Sequence, residues 1–434
     1  MAPMAPTTKP PTGRLARLSK LAKLSATVST GLAARAAARM TGADPDDAQR
    51  RATERVVATL GELKGAAMKL GQALSMDPDA LPPELRNVMA RLQNQATAVA
   101  YEEIAKVVER ELGGPPDSQY AAFERLPLAS ASLGQVHRAR MRDGREVAVK
   151  VQYPGMVEAI QSDFANLGLL VNAVGRSAKA LDGREYYEEF RREIALETDY
   201  EREALQAARF KELLAPFPGL RVPEVIPSHS TGKVLTLEFV PGQTLHDFAR
   251  GEASAQARMH TATLLIQAIY GPFLAGGEIH ADPHPGNFLV TPEGQLAILD
   301  FGSVKVFSPG FVAACRSYFR QTLSGAPIDV LAAVRDAGFR IDLPEAQART
   351  LLGEIQEIAG RPVHTDRYDY AQDTASRDLR ALVRRHGRDA LRIRPPAEGA
   401  MFARAVGGCA QNLRALGACG DFRAVYAALL PLAG

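Results

Sequence analysis

The sequence has no tryptophan and only three cysteines in 434 residues. Cys315, Cys409 and Cys419 show no paired metal-ligand spacing and have no histidine cluster beside them. A disulfide framework and a zinc site are therefore excluded as organising principles, and reduced, buried thiols are expected. Long apolar runs are also missing, because the best candidate, Leu264 to Gly277, is interrupted by Gln267 and contains Gly271-Pro272. A bilayer-spanning helix needs about 20 mostly apolar residues, so no span is expected. Acid is absent from Met1 to Ala43, which holds Lys9, Arg14, Arg17, Lys20, Lys23, Arg35 and Arg39. Of 52 basic and 49 acidic residues in the chain, removing these seven leaves 45 basic against 49 acidic. A body of that charge is a poor match for nucleic acid, so no nucleic-acid partner is expected.

What remains is the composition of an ordinary globular protein, 46% hydrophobic and 23% charged, and long enough to bury a large core. The first residues are rich in Pro and Thr and read as disordered. The stretch from Arg14 to Leu24 then repeats basic and Leu positions every third residue, which gives a moderately amphipathic helix. Three readings stand for it: an anchor on an anionic membrane surface, an organelle transit peptide, or a solvated basic tail. The expected location is cytoplasmic, with peripheral membrane contact and organelle import as the alternatives that this stretch leaves open.

Ala, Leu and charged residues from Asp46 to Leu112 read as helical, with breaks at Pro78 and Pro82-Pro83. From Phe123 the texture changes. Val136 to Met141 and Arg145 to Tyr153 read as strands joined by Asp143-Gly144, a strong hairpin signal. In the second strand Val147, Val149 and Val151 share one face, so Lys150 points to the other. Residues 157 to 215 read as helical, Val234 to Val240 as a strand, and Pro241-Gly242 opens a mainly helical remainder. Strands first and helices afterwards is the order of an α+β protein.

The most specific pattern is His280-Ala281-Asp282-Pro283-His284-Pro285-Gly286-Asn287 followed by Asp300-Phe301-Gly302. Phosphoryl transfer needs a carboxylate near the nucleophile and oxygen ligands for Mg²⁺. A kinase catalytic loop supplies them as an Asp, an Asn five residues on, and an Asp at the next strand turn. Phe288 to Val290 and Leu296 to Leu299 read as a hairpin about Glu293-Gly294 that would return Asp300 beside Asn287. Val147-Ala148-Val149-Lys150 matches the kinase strand whose Lys holds the α and β phosphates, although by itself it would suit a solvated edge strand. Before it, Ala129-Ser130-Ala131-Ser132-Leu133-Gly134-Gln135-Val136 lies on the glycine-rich loop pattern with Gly134 and Val136 kept and Ala129 and Ala131 in place of glycines. The added methyl groups remove φ > 0 conformations, so the loop should be stiffer and hold nucleotide differently. Glu185 to Phe210 reads as an amphipathic helix in which Glu193, Glu197, Asp199 or Glu203 could pair with Lys150.

Together these residues resemble the UbiB family of atypical protein-kinase-like proteins over roughly residues 50 to 430. The similarity rests on the Ala-rich loop, on Lys69-Leu70-Gly71-Gln72 as the K-x-G-Q motif, on Glu197-Thr198-Asp199 as the E-x-D motif, and on the Asp282 to Asn287 loop. Ser130 stands where the family usually has a third alanine. The resemblance implies that Glu203 pairs with Lys150, that Glu238 to Val240 is the hinge near adenine, and that Lys69 approaches Glu197 or Asp199 with Gln72 adding hydrogen bonds. Glu197 and Asp199 would point apart on an unbroken helix. The capping-box spacing of Thr198 and Glu201 suggests a helix start there.

The expected fold is α+β and bilobal, protein-kinase-like, with a small β-containing N-lobe, a mainly helical C-lobe and an N-terminal helical extension. The segments are 1–44, basic and partly disordered; 45–112, the extension with K-x-G-Q; 113–240, the N-lobe; and 241–434, the C-lobe. Ala281 replaces the Arg that precedes the catalytic Asp in phosphoregulated kinases, and no A-P-E motif follows Gly302. The resemblance therefore implies a Mg²⁺-dependent ATPase or small-molecule or lipid kinase supporting ubiquinone biosynthesis, with ATP and Mg²⁺ as cofactors. The alternative is a nucleotide-binding pseudokinase that regulates a lipid-biosynthetic complex. Partners implied beyond ATP are lipid or quinone-precursor molecules, an anionic membrane surface and lipid-biosynthetic proteins.

Overall fold

Valine alternating with small or polar residues produces the first sheet. In the computed structural model, described for residues 99–130, 133–158, 196–387 and 389–433, helix α1 (Tyr101–Leu112) leads into four strands. These are β1 (Ala122–Phe123), β2 (Ala129–Ser130), β3 (Gly134–Arg140) and β4 (Glu146–Gln152). Helix α2 (Tyr200–Leu213) and strand β5 (Leu220–Arg221) follow, and β6 (Val234–Glu238) returns to complete the antiparallel order β1-β3-β4-β6, with β2 paired to β3. Gly144, at φ 90°, makes the β3–β4 turn that an L side chain would resist. Val147, Val149 and Val151 are fully buried against Ile104, Val107 and Val108 of α1. Lys150 lies on the opposite face, opposite Val136 of β3 and Leu235 of β6.

The described chain divides into two units, one drawn from Met1–Arg202 with Val225–Phe239, the other from Glu203–Glu224 with Val240–Gly434. The second contains β7 (Gln243–Thr244) and helix α3 (Ala255–Gly276), capped by Gly277 at φ 71°. Most of the apolar run from Leu264 onward is buried inside α3, which makes it a core helix. No helix among the described residues is long and apolar enough to cross a membrane. Next come β8 (Glu278–His280), β9 (Phe288–Val290), β10 (Leu296–Ile298) and β11 (Val304–Val306). They form a sheet of order β5-β10-β9-β7 and an antiparallel β8–β11 pair. The longer helices that follow are α4 (Pro309–Ser324), α5 (Glu345–His364), α6 (Ala375–His386) and α7 (Ala397–Leu416). Leu351, Leu352 and Leu382 make a separate core where α5 meets α6.

Two expectations are corrected. Of the helix read from Glu185 to Phe210, residues 185–195 lie outside the described residues; the rest is interrupted at Thr198-Asp199, and α2 starts afresh at Tyr200. Its start is capped by Asp199, one residue after the Thr198 suggested by the capping-box spacing. The Asp199 carboxylate accepts the Arg202 N–H at 3.1 Å. The three cysteines are free, but only Cys409 is fully buried, with Cys315 and Cys419 partly exposed.

Candidate functional site

In the first unit the alanine-rich segment enters as an edge strand. Ala129 pairs with Val136 and Ser130 with Gln135, so β2 and β3 form a hairpin ahead of Lys150. Ala131 and Ser132 lie outside the described residues, as do Lys69, Gly71 and Gln72. Gly134 is needed for packing rather than for its φ, since a Cβ there would stand 2.3 Å from the Val151 carbonyl oxygen. The Lys150 ammonium lies 4.9 Å from the centre of the buried Tyr200 ring. A cation over an aromatic face gains about 0.5–2 kcal/mol, the upper end when desolvated. Gln152, one turn of the pleat further on, donates from Nε2 to the carbonyls of Thr198 and Gly232. That bond pins the middle residue of Glu197-Thr198-Asp199, where the helix breaks. Glu238 closes β6 opposite Val147, and Val240 is buried just beyond. Tyr200 and Gln152 were not singled out in the sequence, because an aromatic at a helix start and a Gln in a strand carry no distinctive spacing.

In the second unit His280 organises the loops. Its ring is fully buried; Nε2–H donates to the Asp300 carbonyl at 2.5 Å and Nδ1 accepts the Asp282 N–H at 3.3 Å. Both nitrogens are used, which selects the neutral Nε2–H tautomer. Asn287 donates from Nδ2 to the Asp282 carbonyl at 3.0 Å and to its carboxylate Oδ2 at 3.2 Å. The β9–β10 hairpin returns the chain so that Leu299 N–H donates to the Asn287 carbonyl at 2.9 Å, one residue before Asp300. Asp300 in turn accepts the Gly302 N–H at 3.0 Å, and Ala281 N–H donates to Ser303 O at 2.9 Å. Phe301 is buried with its ring centre 5.4 Å from Phe210 of α2 and 6.1 Å from His280. Glu203, on the first turn of α2, is buried at 1% exposure. Asp282, Asn287 and Asp300 are thus tied together by backbone and side-chain bonds within one unit. His280 opens the pattern that ends at Asn287, but the sequence assigns it no role, because its partner Asp300 is 20 residues away.

The donors suit a hard cation. Asn287 commits its amide nitrogen to Asp282, which leaves its oxygen for a ligand role, and Asp300 adds a carboxylate. Among the described residues no group of three or more His, Cys, Asp or Glu could cage a metal ion alone. Mg²⁺ is commonly held by one or two protein oxygens plus water and substrate phosphates, and this donor set fits that pattern.

A sheet-bearing unit, a mainly helical unit, and an Asp-x₄-Asn loop joined to an Asp-Phe-Gly turn define a protein-kinase-like α+β protein. Residues 91–327 match the ABC1 atypical kinase-like domain. The chain is 31% identical over 377 residues to the atypical kinase coq-8, mitochondrial, of Caenorhabditis elegans, covering 85% of this chain and 50% of that one. It is 33% identical over 351 residues to the atypical kinase COQ8B, mitochondrial, of Rattus norvegicus, with 80% and 65% covered. It therefore spans about half to two thirds of the length of these curated relatives, 50% and 65%. Among solved structures it resembles Rv3197 of Mycobacterium tuberculosis, solved as an erythromycin complex, with TM-score 0.64, 27% identity, and 90% of this chain and 98% of that one covered. The chain belongs to the UbiB family of atypical kinase-like proteins.

Proposed function

We propose that this protein binds ATP with Mg²⁺ and either hydrolyses it or passes its terminal phosphoryl group to a small or lipid-like acceptor. The observation that supports this most directly is the tie from His280 to both Asp282 and Asp300, with Asn287 bonded to Asp282. Bound Mg²⁺-nucleotide would supply the reactive phosphoryl group and neutralise its charge. Asp300 and the Asn287 oxygen would hold the cation. Asp282, oriented by Asn287, would accept the proton of the attacking hydroxyl or water. Lys150 would hold the α and β phosphates, and Glu203 would keep its ammonium in place. The Ala129 to Gly134 loop would cover the phosphates, and Glu238 to Val240 would meet the base. Lys69, Gly71 and Gln72, together with Glu197 and Asp199, would regulate access. A role in coenzyme Q biosynthesis is the context that family membership supports. The expected partners are quinone precursors, an anionic membrane surface and lipid-biosynthetic proteins.

ATP turnover by the full chain, with and without anionic liposomes and a quinone-precursor mimic, tests this reading. Turnover lost in Asp300→Ala supports it, and turnover unchanged in that variant rejects it. Nucleotide binding without turnover under every condition would instead assign a regulatory pseudokinase, which Ala281 in place of the usual Arg also suits.

A further inference from the structure

Helix α7 lies beyond the residues that match the kinase-like domain, 91–327, yet it touches the Asp282 to Asn287 loop at Pro283 and the segment that follows Asp300 at Ser308. Near its C-terminal end, Asn412, 6% exposed, donates from Nδ2 to the Pro283 carbonyl at 2.6 Å. One turn earlier, a Cβ at Gly408 would fall 2.2 Å from Pro283 Cγ, so the absence of a side chain lets the proline ring seat against the helix. Residues four apart share a helix face, so Gly408 and Asn412 meet the same proline, one at its ring and one at its carbonyl. Pro283 is the residue directly after Asp282.

At the helix's other end, Glu398 accepts from Ser308 N–H at 2.6 Å and from Ser308 Oγ–H at 2.8 Å. Ser308 ends the segment that leaves Asp300-Phe301-Gly302 through β11 and caps α4. Between the two ends, Phe402 packs on Phe273 at 4.7 Å and on Phe311 at 5.9 Å. The helix sets about 15 Å from Glu398 to Gly408 and about 21 Å from Glu398 to Asn412, and a helix hardly stretches. The side-chain bonds between Asp282 and Asn287 are local, and the backbone bonds at Ala281 and Asn287 tie the loop only to the neighbouring Leu299 to Ser303 segment. Asn412 and Gly408 add a hold on the loop from outside this segment, and Glu398 adds one on Ser308.

We propose that α7 is a positioning splint: Gly408 and Asn412 set where the Asp282 to Asn287 loop stands, and Glu398 sets the segment that follows Asp300. These are positioning residues that act through Pro283 and Ser308. The placement claim rests on the bonds described; only its consequence for nucleotide depends on the function proposed above.

The test is amide hydrogen exchange on the full chain, which needs no ligand. Gly408→Ala keeps every hydrogen bond but drives a methyl group into Pro283. It should raise exchange about tenfold at Ala281, Asn287 and Leu299 while leaving the β3–β4 amides unchanged. In a Pro283→Ala background, which removes the clashing Cγ, adding Gly408→Ala should have no further effect. Asn412→Leu, close in shape but unable to donate, should loosen the same amides; if it does not fold, the Gly408–Pro283 cycle decides alone. Unchanged exchange across the loop, or a Gly408→Ala effect that persists without the proline ring, overturns the splint. In the same variants Mg²⁺-dependent nucleotide affinity should fall about tenfold, with Mg²⁺-free binding unaffected. Equal loss of both would mean a merely structural helix and would also overturn it. A wild-type chain that binds no nucleotide would refute the proposed function, and the exchange cycle would still decide the splint.

Discussion

His137 on β3 is buried among polar groups, all of them satisfied. Its Nδ1–H donates to the Glu124 carbonyl at 2.8 Å, and Nε2 accepts from Gln135 Nε2, 2.9 Å away. Gln135 also accepts Val99 N–H at 3.0 Å, which holds the first described residue of the chain to the strand after the alanine-rich loop. A proton on Nε2 would remove an acceptor, and burial already holds this imidazole below its ordinary value. As pH falls through about 6.5 the unfolded chain takes a proton that the folded one resists. Stability is therefore full above that pH and declines below it until the native group also titrates, by at most about 1.4 kcal/mol per pH unit. Urea unfolding between about pH 7 and 5 should show a shallower decline in His137→Gln than in wild type, and parallel curves would count against this role.

Among the elements, the β3–β4 hairpin carries most of the burden of the first unit. Seven cross-strand residue pairs run from Gly134 opposite Gln152 to Arg140 opposite Glu146, so a change at one end is felt along the ladder. Gly134→Ala forces the Val151 backbone away and should destabilise the protein by about 1–3 kcal/mol. Its denaturation midpoint should drop with an unchanged m-value, and nucleotide affinity should weaken because Lys150 adjoins Val151. A midpoint equal to wild type would mean that the backbone relaxes at no cost. In α2 the tertiary contact overrode local periodicity. The acidic run from Glu193 to Glu203 reads as one helix, but Gln152 takes the Thr198 carbonyl and Asp199 takes a helix-start N–H, and the helix restarts. The capping-box spacing suggested a restart near Thr198, but Gln152, 46 residues away in the strand, carried no signal in the spacing.

For the whole molecule, charge is unevenly placed. Met1 to Ala43 carries seven basic residues and no acid, whereas the rest is slightly acidic. Removing residues 1 to 43 should abolish salt-sensitive binding to anionic liposomes, since exposed charges act over about a Debye length, roughly 10 Å at 0.1 M salt. Sedimentation with vesicles of graded anionic content measures this, and retained binding would move the contact elsewhere. The hairpin of β3 and β4, the hairpin of β9 and β10 that returns Asp300 to Asn287, and the α+β class were all legible from alternation and turn residues. So were Lys150 and the Asp282 to Asn287 loop as candidates, because their residue types sit at spacings that kinase chemistry requires.

Local signals of this kind determined the strands, the turns and the candidate chemistry, since each depends on residues a few positions apart. Only the tertiary structure decided that His280 joins Asp282 to Asp300, that Tyr200 lies under Lys150, and that Asn412 holds Pro283. Apart from His280 and Asp282, which are two residues apart, those partners are separated by 20 to 129 residues and carry no periodicity. What brings them together is the packing of whole elements, and no short window of sequence records that.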